Sequence, residues 1–330
     1  MSMKDVTTSI IALIQRAWAF NRLLTFTIIA LALLIPLPLI GMVVDPKVIT
    51  GVNGWIKPLK FLISIVIYCA TFLWLLTYVK GRRRWVQTAA NVTALMLLVE
   101  IALITMQVVR NTTSHFNAAT PFDAAVFSAM GTAITTLAIM NLLLAILLII
   151  QRMDDRVFAW GLRLGVIASF VGIAVAFLMT AGPTPEQLAA LEAGEPVASI
   201  GAHSVGVADG GPGLPLVGWS TTGGDLRVAH FVGLHGMQVV PLLGWWLSRP
   251  AMRRRYRDGQ RLAFVWIGGL SYMALTGLLT WQALRGQSVV APDALTLAAF
   301  GILFGVAGLT TLAVSMRTQT KKRAAIAVGV

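Results

Sequence analysis

"HFVGLHGMQVVPLLGWWL" (residues 230–247) decides the fold. It has no Asp, Glu, Lys or Arg, yet it holds two of the chain's four histidines, His230 and His235, with Met237 and Gln238 close by. A bilayer core needs about 20 predominantly apolar residues per helical span, and this stretch with its flanks meets that length. A membrane helix that keeps imidazoles and an amide at depth has a use for them.

Seven other stretches have the same character, and we expect spans at 23–44, 59–79, 86–109, 125–150, 158–182, 228–248, 262–283 and 294–316. The chain of 330 residues is 57% hydrophobic and 12% charged, about half the charge of a soluble protein. Nearly every apolar residue falls inside a span. The expected fold is therefore all-α: an integral membrane bundle of eight transmembrane helices, one membrane domain over 1–330, with the lipid bilayer as its first partner.

The net charge of +13 would suit nucleic acid, but its distribution argues against that. Basic clusters fall in alternate loops: "KGRRR" (80–84), Arg152 with Arg156 and Arg163, "RPAMRRRYRDGQR" (249–261) and "KKR" (321–323), joined by Lys4, Arg16 and Arg22. The opposite loops hold only six of the 26 Lys and Arg but eight of the 13 acids. This is the positive-inside pattern. It predicts a multi-pass inner (plasma) membrane protein with both termini cytoplasmic, a basic cytoplasmic tail over 317–330 and no nucleic-acid partner.

Residues 1–22 are charged and lack a small-residue cleavage site after a short apolar core, so no cleaved signal is expected. Within them "SIIALIQRAWAF" (9–20) lines up Ile10, Ile11, Ile14 and Trp18, the pattern of a cytoplasmic or interfacial helix. Pro36 and Pro38 should bend or break the first span, since each lacks an N–H and crowds the preceding turn. Cys69, the single cysteine, lies mid-span; it has no partner for a disulfide within the chain and is expected in the core. "GILFG" (301–305) has small-xxx-small spacing, which suits close helix packing.

The expected outer loops are 45–57, 110–124, 183–227 and 284–293. The third opens with "TPEQLAALEAG", a short helix with Thr184 or Pro185 at its start and Gly194 past its end. Eight glycines follow between Gly201 and Gly224, interleaved with Trp219 and aliphatic residues. We expect this Gly/Pro-rich segment to be a folded outer cap, since a mobile linker would be more polar.

All four histidines then lie on the outer side: His115 in "NTTSHFN", His203 in the cap, and His230 and His235 in the sixth span, whose N-cap is Asp225. Five residues turn a helix by about 140°, so His230 and His235 face different neighbours and do not chelate one ion together. Met237 sits under His230, and Gln238 neighbours His235. In the third span Thr93, Glu100, Gln107 and Asn111 recur on one face. Glu100 is the only acid inside a span; at roughly 2.5–3.5 kcal/mol for an acid at mid-membrane it belongs in the protein interior. It is read as a proton carrier, as a buried partner for Arg110 or as a hydrogen-bonded acid. The third and sixth spans are expected to be neighbours, with Glu100, Gln107, His115, His230 and His235 converging below the cap. Lys57, Lys60, Arg110 and Arg227 form an outer rim of cations suited to an anionic ligand, such as haem propionates, a substrate or lipid headgroups, or to the acids nearby, Asp123 and Asp225.

HExxH, HxxxH, CxxC and P-loop patterns are absent. "AHSVG" (202–206) has the spacing of a nucleophile elbow, but that motif needs a strand-turn-helix that a helical membrane bundle does not offer. "GGDLRVAHFVGLHGMQ" together with "RNTTSHFNAATPFD" resembles a class of bacterial polytopic membrane proteins, over most of the chain; that resemblance implies no activity. In outline the chain is also similar to haem A synthase. Its histidines are placed differently from that family's pairs, spans two, four and eight having none, so no residue role carries over.

The leading functional expectation is a membrane redox protein that binds haem b or a copper-type metal near the outer face. His235 would be the primary ligand, His115, His203 or His230 its partners, and Glu100 with Gln107 a proton relay. Two alternatives are a proton-coupled transporter with Glu100 as carrier and a zinc-dependent membrane hydrolase with Glu100 as general base.

Overall fold

A computed structural model of the chain describes the backbone of residues 3–327 and the side chains of residues 8–316. Lys4, the "KKR" cluster and the rest of the 317–330 tail lie outside the described side chains. In chain order the elements are α1 (Met3–Phe20), α2 (Arg22–Leu34), α3 (Pro36–Val44), β1 (Val48–Ile49), β2 (Val52–Asn53), α4 (Ile56–Leu76), α5 (Arg83–Val109), α6 (Pro121–Ile150), α7 (Arg156–Met179), α8 (Pro185–Glu192), β3 (Ser204–Val205), β4 (Gly224–Asp225), α9 (Leu226–Leu247), α10 (Pro250–Arg255), α11 (Asp258–Leu284) and α12 (Ala294–Ala327).

Among the described residues eight segments are long and apolar enough to cross a membrane: Arg22–Val44, α4, α5, α6, α7, α9, α11 and Ala294–Met316. Each matches an expected span to within a few residues. The protein is an all-α membrane bundle, and four two-residue strands among the described residues form two short antiparallel pairs.

The ends of the elements follow from particular side chains. Asn21 starts α2 by accepting from the Leu24 N–H, while its amide donates to Gln87 and Asn91 on α5. The first span breaks at Ile35, whose N–H reaches only Ala32, as the prolines that follow require. Thr184 closes a capping box with Gln187 at the start of α8, and Gly194 takes a left-handed φ of 74° just past its end.

The chain divides into two compact units, residues 1–147 with 182–202, and residues 148–181 with 203–330. The cap sequence is therefore shared between them. In the first unit α2 packs on α4 and α5, and α4 on α5. Cys69 is fully buried, as expected. Ile104 of α5 packs with Val126 and Met130 of α6. On α1, Ile10, Ile11, Ile14 and Trp18 are all exposed, so the apolar face of this helix is turned outward as an interfacial helix needs.

In the second unit α7, α9 and α11 pack against one another, and α12 lies on α11. The α7–α9 seam is built from glycine: Gly161 meets Gly244, Gly165 meets the Pro241 ring, Gly172 meets the backbone of Gly233 and Leu234, and Gly236 meets Ala168. Residues without side chains let two backbones touch, and dispersion then holds the helices where no hydrophobic drive exists. The expected small-residue contact at "GILFG" is not found, for a Cβ on Gly301 or Gly305 would meet nothing within 4 Å. The close packing lies on α7 and α9 instead, because glycines there recur on faces that oppose each other.

Candidate functional site

The first unit holds Lys57, Lys60, Glu100, Gln107, Arg110 and His115 of the expected site. Thr93, Glu100 and Gln107 form a buried stripe on α5, 0%, 1% and 0% exposed. Asn111 does not extend it: α5 ends at Val109, and Asn111 is exposed with a left-handed φ of 58°. The change of backbone at the helix end takes it off the 3.6-residue period.

Below this end the 110–120 loop turns back and presents His115 to Glu100, with His115 Nε2 3.9 Å from Glu100 Oε1. On the other side of the ring Lys57 Nζ is 3.0 Å and Ser114 Oγ 3.1 Å from Nδ1. Phe61, Phe116 and Phe127 surround it at centroid distances of 5.9, 6.2 and 6.2 Å. An ammonium only donates, so Lys57 makes Nδ1 an acceptor and leaves the ring proton on Nε2, toward the carboxyl group. Both oxygens of Glu100, and Thr93 Oγ1, have no hydrogen-bond partner among the described residues. Buried polar groups in that condition are rare and call for a functional account.

The loop that delivers His115 is held from several directions. Phe116 has a φ of 60°, a conformation costly for an aromatic residue. Its carbonyl accepts from the Ile200 N–H and the Ala118 N–H bonds Ala198. Asn117, 2% exposed, donates to Thr112 Oγ1 and the Thr113 carbonyl and accepts from the Ala119 N–H. Strain at the residue beside the histidine is therefore balanced by bonds to the start of the cap sequence.

Arg110 pairs with Asp123, which is 4% exposed and also accepts from Gln107 Nε2 (2.9 Å) and Thr120 Oγ1 (2.6 Å). Gln107 and Arg110 are thus engaged by an acid at the start of α6, and Arg110 is not the partner of Glu100. The signal was present in "TPFD" (120–123), a Thr three residues before an Asp at the head of an apolar run. Lys60 is half-buried on α4.

The second unit holds His203, Arg227, His230, His235 and Gln238. Asp225 caps α9 as expected and grips Arg227 through Nε and Nη2 (2.9 and 2.6 Å), so this rim cation too is matched by its own acid. His230 Nδ1 lies 2.7 Å from the Gly172 carbonyl; a carbonyl only accepts, so Nδ1 carries the proton and Nε2 the lone pair. His235 Nδ1 is 3.2 Å from Gln238 Oε1, and its ring packs on Phe231, which packs on Trp219. The two histidines thus have different partners, as their helical spacing required. Of the residues expected to converge below the cap, Glu100, Gln107 and His115 lie in the first unit and His230 and His235 in the second.

His203 Nδ1 bonds Asp209 Oδ2 at 2.8 Å, and Asp209 also accepts from the His203 and Ser204 N–H groups. Burial disfavours the Asp209 carboxylate, but the His203 hydrogen bond and charge, with the two backbone N–H groups, outweigh it and hold the carboxyl well below its usual range. A lowered folded value gives stability that is present above the unfolded value of about 3.9 and is lost as pH falls below it. Asp209→Asn should therefore lower the melting temperature at pH 6 and match the wild type more closely at pH 3, measured by differential scanning fluorimetry; an equal gap at both pH values would contradict this.

Among the described residues no group of three His, Cys, Asp or Glu is placed to hold a metal ion. No family model, curated protein or solved structure matches the chain.

Proposed function

We propose that the protein is a membrane carrier that couples solute movement to protonation of Glu100, with His115 as the proton's route to and from it. One observation carries this reading: an acid 1% exposed, both of its oxygens unbonded among the described residues, faces a histidine nitrogen 3.9 Å away. An isolated carboxylate is too costly to keep in such a place, so its charge must change with its surroundings. His115 releases the Nε2 proton to Glu100 as Nδ1 takes one from the Lys57 ammonium, and the reverse steps reload the lysine. The relay needs the imidazole and carboxyl to close by about 1 Å to reach proton-transfer distance. Such a group alternates between neutral and charged, and solute binding that favours one form moves a proton.

The test is proton uptake by dye-loaded proteoliposomes on addition of amino acids, organic acids or amines in turn. Coupled flux should fall about 100-fold or more in Glu100→Gln and persist in His235→Ala. Flux in Glu100→Gln equal to wild type would end the proposal.

A redox role is the second reading, favoured by the Nε2 lone pair that the Gly172 carbonyl fixes on His230. Haem b or copper would use that nitrogen, and zinc would use it in a hydrolase. A Soret band, or stoichiometric copper or zinc in the purified protein lost in His230→Ala, would select this reading over proton coupling.

A further inference from the structure

Beyond any transport chemistry, the junction between α9 and α11 has the makings of a lipid-headgroup site. Trp245 and Trp246 close the apolar part of α9 and are 46% and 49% exposed. Six arginines follow between residues 249 and 261. Two of them are committed inside the unit. Arg261 is buried on the Leu247 carbonyl and Asp258, and Arg253 bonds Asp155 and the Ser248 carbonyl. The other four, Arg249, Arg254, Arg255 and Arg257, are exposed, and none makes an ion pair among the described residues. Asp155 and Asp258 are taken by Arg253 and Arg261.

Two of the four are also held in place. The Arg249 guanidinium lies 4.1 Å over the Trp245 ring and that of Arg255 5.3 Å from the Tyr256 ring. Stacking uses the flat face of a guanidinium and leaves its N–H edge for oxygen acceptors. Tryptophan at a span's end marks the headgroup layer, so these N–H edges stand at the depth of lipid phosphates. A phosphodiester matches their fork geometry. A zwitterionic headgroup brings its own cation, which four unpaired arginines repel.

We propose that Arg249, Arg254, Arg255 and Arg257, with Trp245 and Trp246 below them, form a selective site for the phosphate of an anionic phospholipid. The site requires no particular activity of the protein and stands apart from the Glu100 reading.

Native mass spectrometry of the full-length protein, titrated with phosphatidylglycerol or phosphatidylcholine, tests it. The wild type should prefer the anionic lipid about tenfold. Changing Arg249, Arg254, Arg255 and Arg257 together to Gln should reduce that preference to about twofold or less. Gln at Arg82, Arg83 and Arg84 should leave it intact. Since loop arginines also set insertion orientation, a salt titration of the wild type gives a second, mutation-free reading: the preference should fall steeply between low and high salt. Displacement of the lipid by equimolar inorganic phosphate would make free phosphate the ligand and overturn the proposal. So would equal preference in wild type and the Arg249–Arg257 variant, or an equal loss in the Arg82–Arg84 variant.

Discussion

Leucine in place of Gly172 is expected to destabilise the protein by about 3 kcal/mol, at the upper end of what overpacking costs. A Cβ at this position falls on the Gly233 and Leu234 backbone, and main-chain atoms of two packed helices have no rotamer through which to yield. Relief requires α7 and α9 to separate, which loosens the Gly161–Gly244 and Gly165–Pro241 contacts and removes the carbonyl that orients His230. Gly277→Leu on α11 is the matched control, because nothing lies within 4 Å of its Cβ. It should be neutral or stabilise by up to about 1 kcal/mol through helix propensity. Chemical denaturation in detergent measures both, and similar midpoints for the two variants would refute the tight seam.

The second large effect is expected at Asp225. Its side chain is 0% exposed and accepts from the Ser220 N–H, the Arg227 N–H and the Arg227 guanidinium. Asp225→Ala leaves Arg227 without its counter-charge and the first turn of α9 without its cap. The Arg227 side chain is 29% exposed and keeps the Gly218 carbonyl, so the loss is that of the charge-assisted bonds and the unmet N–H donors, about 1–3 kcal/mol, with the cap's contribution of about 1 kcal/mol included rather than added. Asp225→Asn keeps an acceptor for the backbone donors and should recover part of the loss. Hydrogen exchange at residues 220–230 should rise sharply in the alanine variant and moderately in the asparagine variant; unchanged exchange in both would show that the helix start does not depend on this carboxylate.

Much of the framework was legible because it rests on local chemistry. The eight spans follow from apolar length, the break at Ile35 from Pro36, and the starts of α8 and α9 from Thr184 and Asp225. The burial of Glu100 was also legible, since a bilayer leaves an acid no other place. The approach of His115 to it was expected from the position of the histidine just beyond the same helix, but the loop geometry was not: Phe116 adopts a left-handed backbone, and a phenylalanine gives no sign of that in the sequence. Helix partnership was equally hidden. The spacing in "GILFG" looked like a packing motif and faces open space, whereas Gly161, Gly165 and Gly172 work because glycines of another helix happen to stand opposite. The cations of the rim were read as suited either to an anionic ligand or to the acids nearby, and for Arg110 and Arg227 it is the acids, Asp123 and Asp225, that they pair with.

The bond from the Ile200 N–H to the Phe116 carbonyl also sets an order on biogenesis. A ribosome adding roughly 5–20 residues per second delivers the histidine loop several seconds before the segment that braces it. Until then two more spans, α6 and α7, must be threaded or queued at the translocon, and the loop lacks the bond that offsets its disfavoured backbone. On the proposed reading, a nascent chain stalled before residue 200 would carry the acid and the imidazole but not their fixed alignment, and would not conduct protons while it is being built.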